Sequence, residues 1–297
     1  MQDSTAPDAL AASRPGAEPL PVGRCAALAC LLEASAPKPG NVHPGASFVD
    51  LTYFDFVASA PAISLAMEAA AAGARVGPVV LEAMRATQAV VGTNTNLGII
   101  LLLAPLARVP RNKRLTDGIG SILLDLDAED ARLVYEAIRL ARPGGLGKVP
   151  EADAGGPAPK DLLYAMRLAS DRDLVARQYA RGYEEVLDRV LPWIVEGIAA
   201  GGSLPDSIVR AHVKLMSEIP DTLIARKCGT GVAEESMQRA QAVLAASGGS
   251  PPLDAAALAE FDRWLRADGN RRNPGTTADL IAAGLFAALR DGLIHVG

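Results

Sequence analysis

The sequence predicts an all-α fold, a single-domain bundle of many helices with functional polar loops at the helix breaks. Three observations carry that expectation. Of 297 residues, 49% are hydrophobic and only 4% aromatic, so the core is built from Ala, Leu, Val and Ile. Small side chains in long runs suit closely packed helices, whereas a sheet draws on β-branched and aromatic residues. No segment shows sustained strand alternation or a fixed-period repeat, and no linker divides the chain cleanly.

The elements follow in order. Arg24–Ala36 reads as a helix stopped by Pro37-Lys38-Pro39-Gly40-Asn41, because two prolines and a glycine cannot continue it. A polar loop runs to Leu51. Thr52 then caps a helix reaching about Ala72, which Pro61 should kink or divide. Gly77-Pro78 opens the next helix, and Gly92-Thr93-Asn94-Thr95-Asn96 breaks the pattern before an apolar helix over Leu97–Ala107. Asp127 starts a helix that ends at Arg142-Pro143. Gly144–Pro159, with five glycines and three prolines, reads as a loop. Further helices are expected at about Lys160–Ser170, Asp171–Ala199, Ser203–Ser217, Asp221–Ala246, Leu253–Ala267 and Thr276–Leu293.

Composition excludes several classes of function. Charged residues make up 21% and mean hydropathy is +0.18, so the chain has ample material for a core and is not disordered. The formal net charge of −5 offers no basic field for nucleic acid or an anionic membrane. The longest apolar run, Leu97–Leu106, is interrupted by Pro105 and falls far short of the ~20 residues that span a bilayer. Cys25, Cys30 and Cys228 have neither CxxC spacing nor the density of a disulfide scaffold, which fits a reduced, cytoplasmic setting. Met1 to about Gly23 lacks the basic start and apolar run of a signal peptide and reads as a disordered leader, with the folded domain over 24–297.

Polar residues concentrate in the breaks. Lys38, Gly40, Asn41 and His43 place a cation, an amide and an imidazole on a stiff turn, which an ordinary solvated turn also explains. Asn94, Thr95 and Asn96 precede the most apolar helix, whose free N–H groups suit phosphate. One cap needs one such residue, and this break has several. Asp171 and Asp173 open a helix, where the dipole alone favours carboxylates. Asp221 has the same ambiguity, with Arg226 and Lys227 about one and a half turns on. Asn273-Pro274-Gly275-Thr276-Thr277-Ala278-Asp279 fits a capping box between Thr276 and Asp279, and also a ligand-facing helix start. The three histidines are too few and scattered for a metal site, and no Walker A, dinucleotide-binding, HExxH or GxSxG sequence occurs.

Taken in order, Pro37-Lys38-Pro39-Gly40, Gly92-x-Asn94-Thr95-x-x-Gly98, Asp171-x-Asp173, Pro220-Asp221-Thr222-Leu223 and Pro274-Gly275-x-x-Ala278-Asp279-Leu280 resemble the triphosphoribosyl-dephospho-CoA synthase family. The resemblance implies an all-α fold. It also implies transfer of the triphosphoribosyl group of ATP to the 2′-hydroxyl of 3′-dephospho-CoA with release of adenine, a step in making the prosthetic group of acyl carrier subunits. Such chemistry passes through an oxocarbenium-like state and needs carboxylates to stabilise it and take a proton. The triphosphate needs Mg²⁺ and cationic or N–H donors. On that resemblance, Lys38, Arg226 and Lys227 are candidates for phosphate, and Asn94, Thr95 and Asn96 for phosphate or ribose. Gly40, Asn41, Asn273, Thr276 and Thr277 complete the binding candidates. Glu33, His43, Asp50 and Asp173 are the acid, base or electrostatic candidates, and Asp221 and Asp279 the metal ligands. A homo-oligomer is left open.

The chain also departs from the family pattern. Where Lys-Pro-Gly-Leu-Val-Asp is expected it has Lys38-Pro39-Gly40-Asn41-Val42-His43, and where Asn-Thr-His-Lys-Gly is expected it has Asn94-Thr95-Asn96-Leu97-Gly98. The second change removes an imidazole and an ammonium. Two alternatives therefore stand beside the leading reading. One is the same donor chemistry on another acceptor, such as a precursor of a one-carbon carrier cofactor. The other is a nucleotide-binding protein without catalysis.

Overall fold

The computed structural model describes residues 19–142, 155–248 and 252–295. It contains α1 (Val22–Ser35), α2 (Tyr53–Ala62), α3 (Ser64–Ala71), α4 (Val76–Val90), α5 (Leu97–Arg108), α6 (Leu115–Leu124), α7 (Ala128–Ala141) and α8 (Leu162–Ala169). These are followed by α9 (Leu174–Ala180), a π-helical turn Val186–Val190, α10 (Leu191–Ala199), α11 (Leu204–Glu218), α12 (Thr222–Cys228), α13 (Thr230–Ala246), α14 (Ala255–Arg266) and α15 (Gly275–Arg290). Among the described residues there is no strand, only a β-bridge between His43 and Ala46. The fold class is the one expected. The expected leader lies outside the described residues up to residue 18, and α1 begins at Val22, two residues earlier than read. Most of the glycine-rich segment 144–159 is also outside them.

Two helices are the spine of the bundle. α15 is buried along nearly its whole length and packs against α1, α5, α11 and α12. α5 is buried from Leu97 to Ala107. Pro105 lies inside α5 and has no N–H to give the carbonyl of Leu101, four residues back. Tyr179 makes good that loss: its hydroxyl donates to the Leu101 carbonyl at 2.6 Å, and the Tyr183 hydroxyl donates to that of Leu102 at 2.9 Å. α9 is thereby fixed against α5.

Three long helices expected from the sequence are each divided, and the reasons are local. Pro61 does divide Thr52–Ala72, at Ile63, and Thr52 forms a capping box with Asp55. Asp171–Ala199 breaks after Ala180, where Gly182 and Tyr183 both take left-handed backbone. The amide of Gln178 bridges the break, giving one hydrogen bond to Glu185 and accepting one from the Val186 N–H. Asp221–Ala246 breaks at Gly229, whose φ of 93° only glycine adopts easily. α6 was not expected; Gly118 and Gly120 obscure its apolar pattern.

Tyr53–Ala71, read as one helix, is the single described stretch long and apolar enough by length and composition to cross a membrane, with 33% of it buried. The sequence reading had weighed only Leu97–Leu106. In the structure this stretch is turned at Ile63, and its two halves pack on α1, α4 and α5.

Candidate active site

A cavity of about 650 Å³ opens where α1, α5, α9, α12 and α15 meet, and the polar breaks of the sequence line it. Glu33, Asn41, Asp50, Asn94, Thr95, Asn96, Asp173, Arg226, Lys227, Asn273, Thr276 and Asp279 all face it.

The wall at the start of α5 divides its polar residues between two tasks. Asn94 Oδ1 accepts the Leu97 N–H at 3.1 Å, from two residues before the N-cap position that Asn96 occupies. Asn96 is 3% exposed, and neither atom of its amide has a partner among the described residues. Thr95 Oγ1 is likewise buried and unpaired. A buried polar group without a partner costs about 1–3 kcal/mol, so such groups beside a cavity mark where a ligand would pair.

The turn after α1 is clamped from behind. Gly40 N–H donates to Asp262 Oδ1 at 2.7 Å, and Arg266, paired with Asp262 at 2.8 Å, donates to the Asn41 carbonyl. Asn41 Nδ2 then reaches Asn273 Oδ1 at 2.7 Å, joining the first break to the last. Lys38 does not reach the cavity wall. It is fully buried, with its ammonium 2.8 Å from Glu33 Oε1 and bonded to the Glu33 carbonyl. Expected to take phosphate, it instead holds Glu33 in place. Gly40 also lies behind the wall. His43 faces away: its Nδ1 accepts the Gly45 N–H at 3.1 Å within the turn, and burial and the Arg266 charge lower its pKa.

The opposite wall carries the charges. Asp173 caps α9 through the N–H groups of Val175 and Ala176 and pairs with Arg226. Lys227 sits beside it, its ammonium 3.3 Å from the Asn270 carbonyl and its pKa lowered by burial. Asn270 in turn donates to both oxygens of Asp50 at 2.9 Å.

Asp221 also lies behind the wall. One oxygen accepts the Leu223 and Ile224 N–H groups, and the other accepts the Thr277 N–H at 2.7 Å and hydroxyl at 2.8 Å. Both oxygens are thus spoken for by the ends of α12 and α15, which explains why Asp221 and Thr277, a metal and a binding candidate, are turned from the cavity. The pair sets the start of α15 so that Thr276 and Asp279 face inward. The expected capping box between Thr276 and Asp279 is absent: Pro274 precedes the helix without a side-chain cap bond.

Asp279 is therefore free for other work. No donor among the described residues bonds its carboxylate, and a Cβ at Gly98 would overlap it, so the glycine at the start of α5 makes its room. Burial, and after it the charges of Glu33, Asp221 and Asp173, push its pKa well above the ordinary carboxylate range.

Besides Asn270, the sequence reading passed over two arginines. Arg142 and Arg172 also line the cavity; the first ends α7 in a left-handed conformation. The second stands between the two aspartates that drew attention. The apolar side of the cavity, including Ile138, Leu162 and Met166, carries a pattern indistinguishable from core.

A Klebsiella pneumoniae 2-(5″-triphosphoribosyl)-3′-dephosphocoenzyme-A synthase is 33% identical over 144 residues, which are 48% of this chain and 49% of that protein. A Pseudomonas fluorescens protein, a candidate for the same synthase, is 32% identical over 146 residues, 46% of this chain and 50% of its own. The chain thus spans about half the length of these curated relatives. A solved Archaeoglobus fulgidus structure, a candidate triphosphoribosyl-dephospho-CoA synthase, shares the fold with a TM-score of 0.60 and 24% identity, covering 81% of this chain and 99% of its own. One family description, ATP:dephospho-CoA triphosphoribosyl transferase (CitG), matches residues 20–295. The chain is a member of that family.

Proposed function

We propose that this protein transfers the triphosphoribosyl group of ATP to the 2′-hydroxyl of 3′-dephospho-CoA and releases adenine. The observation that supports the reading most is Asp279, a carboxylate with a raised pKa and no hydrogen-bond donor among the described residues, on the same cavity as Arg226 and Lys227. Family membership supplies the donor and the acceptor.

In this reading the triphosphate lies against Arg226 and Lys227, whose N–H groups offset its charge. The sugar then lies beside Asp279 and Glu33. As the bond from C1′ to the adenine nitrogen breaks, positive charge grows on the ribose, and the nearby carboxylates stabilise it. The acceptor hydroxyl oxygen bonds to C1′ and gives its proton to Asp279, whose raised pKa suits it to accept near neutral pH. Adenine takes the electron pair of the broken bond and gains a proton from solvent, and Asp279 later returns its own to solvent, so that protons balance over the turnover. Lys38 acts at one remove by holding Glu33.

No three His, Cys, Asp or Glu side chains among the described residues form a metal cage by themselves. Mg²⁺ seldom needs one, since it binds one or two carboxylates and completes its shell with phosphate and water. Asp50 and Asp173, oxygen donors beside the two cations, would hold it, and when bound it would neutralise triphosphate charge. A cytoplasmic location belongs to the same proposal.

Purified protein with ATP, Mg²⁺ and dephospho-CoA should release adenine in step with a product heavier by the triphosphoribosyl group, read by chromatography and mass spectrometry. Release of ADP, or no adenine with dephospho-CoA, would refute the proposed reaction.

A further inference from the structure

Asn96 stands out on the cavity wall because a triphosphate cannot satisfy it. Its amide nitrogen donates and its amide oxygen accepts, and both are buried and unpaired among the described residues. Phosphate oxygens at neutral pH only accept, so an anion would leave Oδ1 facing like charge. A partner for both atoms must present a donor and an acceptor side by side. The surroundings narrow the choice. Leu97, Ile99 and Leu101 continue the wall from Asn96 along α5, and Ile138, Leu162 and Met166 line the cavity from α7 and α8. An apolar stretch of wall beside a paired donor and acceptor suits a flat heterocycle better than a sugar or a phosphate.

We propose that Asn96 reads the adenine of the nucleotide donor, its Oδ1 accepting from the exocyclic N6 amine and its Nδ2 donating to N7. Asparagine pairs with this edge of adenine in the same two-bond geometry when proteins read DNA. Guanine carries an acceptor at O6 where adenine carries the N6 donor. Either orientation of the amide then leaves two acceptors facing each other. The inference rests on the reading of the cavity as a nucleotide-donor site. It also gives the departure at Asn96-Leu97 a role, in the choice of base.

The test is calorimetric titration with ATP, GTP and 7-deaza-ATP, in Mg²⁺, of the unmutated protein and of Asn96→Ala. One bidentate pair discriminates by about 5- to 150-fold. The unmutated protein should prefer ATP over GTP within that range, and over 7-deaza-ATP by a smaller factor. In Asn96→Ala the ATP affinity should fall by the same factor and that for 7-deaza-ATP by a smaller one, while GTP changes little, so that the preferences collapse. The 7-deaza comparison on the unmutated protein needs no variant and stands if Asn96→Ala does not fold.

Equal weakening of all three nucleotides would overturn the inference, because it would mark a sugar or phosphate contact. So would an unchanged ATP to GTP ratio, with the donor site still intact. Dephospho-CoA also carries adenine, and it is titrated separately. Loss confined to dephospho-CoA would move the amide to the acceptor and overturn the donor assignment. If the unmutated protein binds no ATP at all, the donor site itself fails, which is distinguishable from every other outcome.

Discussion

At the scale of single residues, Asp279 carries the most consequence. Its carboxyl pKa is raised by burial and by the carboxylates around it. The folded state therefore binds more protons than the unfolded chain between the ordinary carboxyl pKa, about 3.9, and the raised folded value. Stability falls as pH rises through that window. In metal-free protein, Asp279→Asn should melt above the unmutated protein at pH 7–8, with the gap closing as pH falls towards about 4. The same variant should lose about 10²-fold or more in kcat while still binding ATP, since proton transfer is what it removes. Unchanged turnover would show that Asp279 takes no proton. Gly98 is its counterpart: Gly98→Ala puts a methyl group where the Asp279 carboxylate lies, and kcat should drop while helical content by circular dichroism is retained.

At the scale of elements, the pairing of α9 with α5 comes from a defect. Pro105 strips the Leu101 carbonyl of its helical donor, and Tyr179 supplies another. Tyr179→Phe should cost about 1–3 kcal/mol of stability, because it leaves a buried carbonyl unpaired. In a Pro105→Ala background the backbone N–H returns, and the cost of Tyr179→Phe should shrink towards zero. A double-mutant cycle in urea reads that coupling, and additive losses would break the argument. The element boundaries tell the same story in reverse. Breaks made by proline or by the Gly40 turn were legible, because those residues act on their own backbone. The break at Tyr183 was not, because a left-handed tyrosine is stabilised by partners far away in the chain.

At the scale of the whole molecule, the site depends on contacts across more than two hundred residues of sequence. Asp262 and Arg266 on α14 hold the turn at Gly40 and Asn41, and Asn41 holds Asn273. Asp262→Ala removes the acceptor of the Gly40 N–H and the partner of Arg266. It should lower stability by about 1–3 kcal/mol and raise KM for ATP without an equal fall in kcat, since it positions binding groups and touches no reacting atom. A fall in kcat alone would place the clamp in the chemistry instead.

Sequence alone determined that the chain is helical and that its polar chemistry sits in the breaks, because residue size, periodicity and the backbone limits of proline and glycine are local properties. It also singled out most of the polar residues that line the cavity. Only the tertiary structure could separate Asp279, which faces the cavity, from Asp221 and Lys38, which stand behind its wall as supports. The physical reason is that a carboxylate or an ammonium has the same chemistry wherever it sits, and its task is decided by which partners the packed helices leave it.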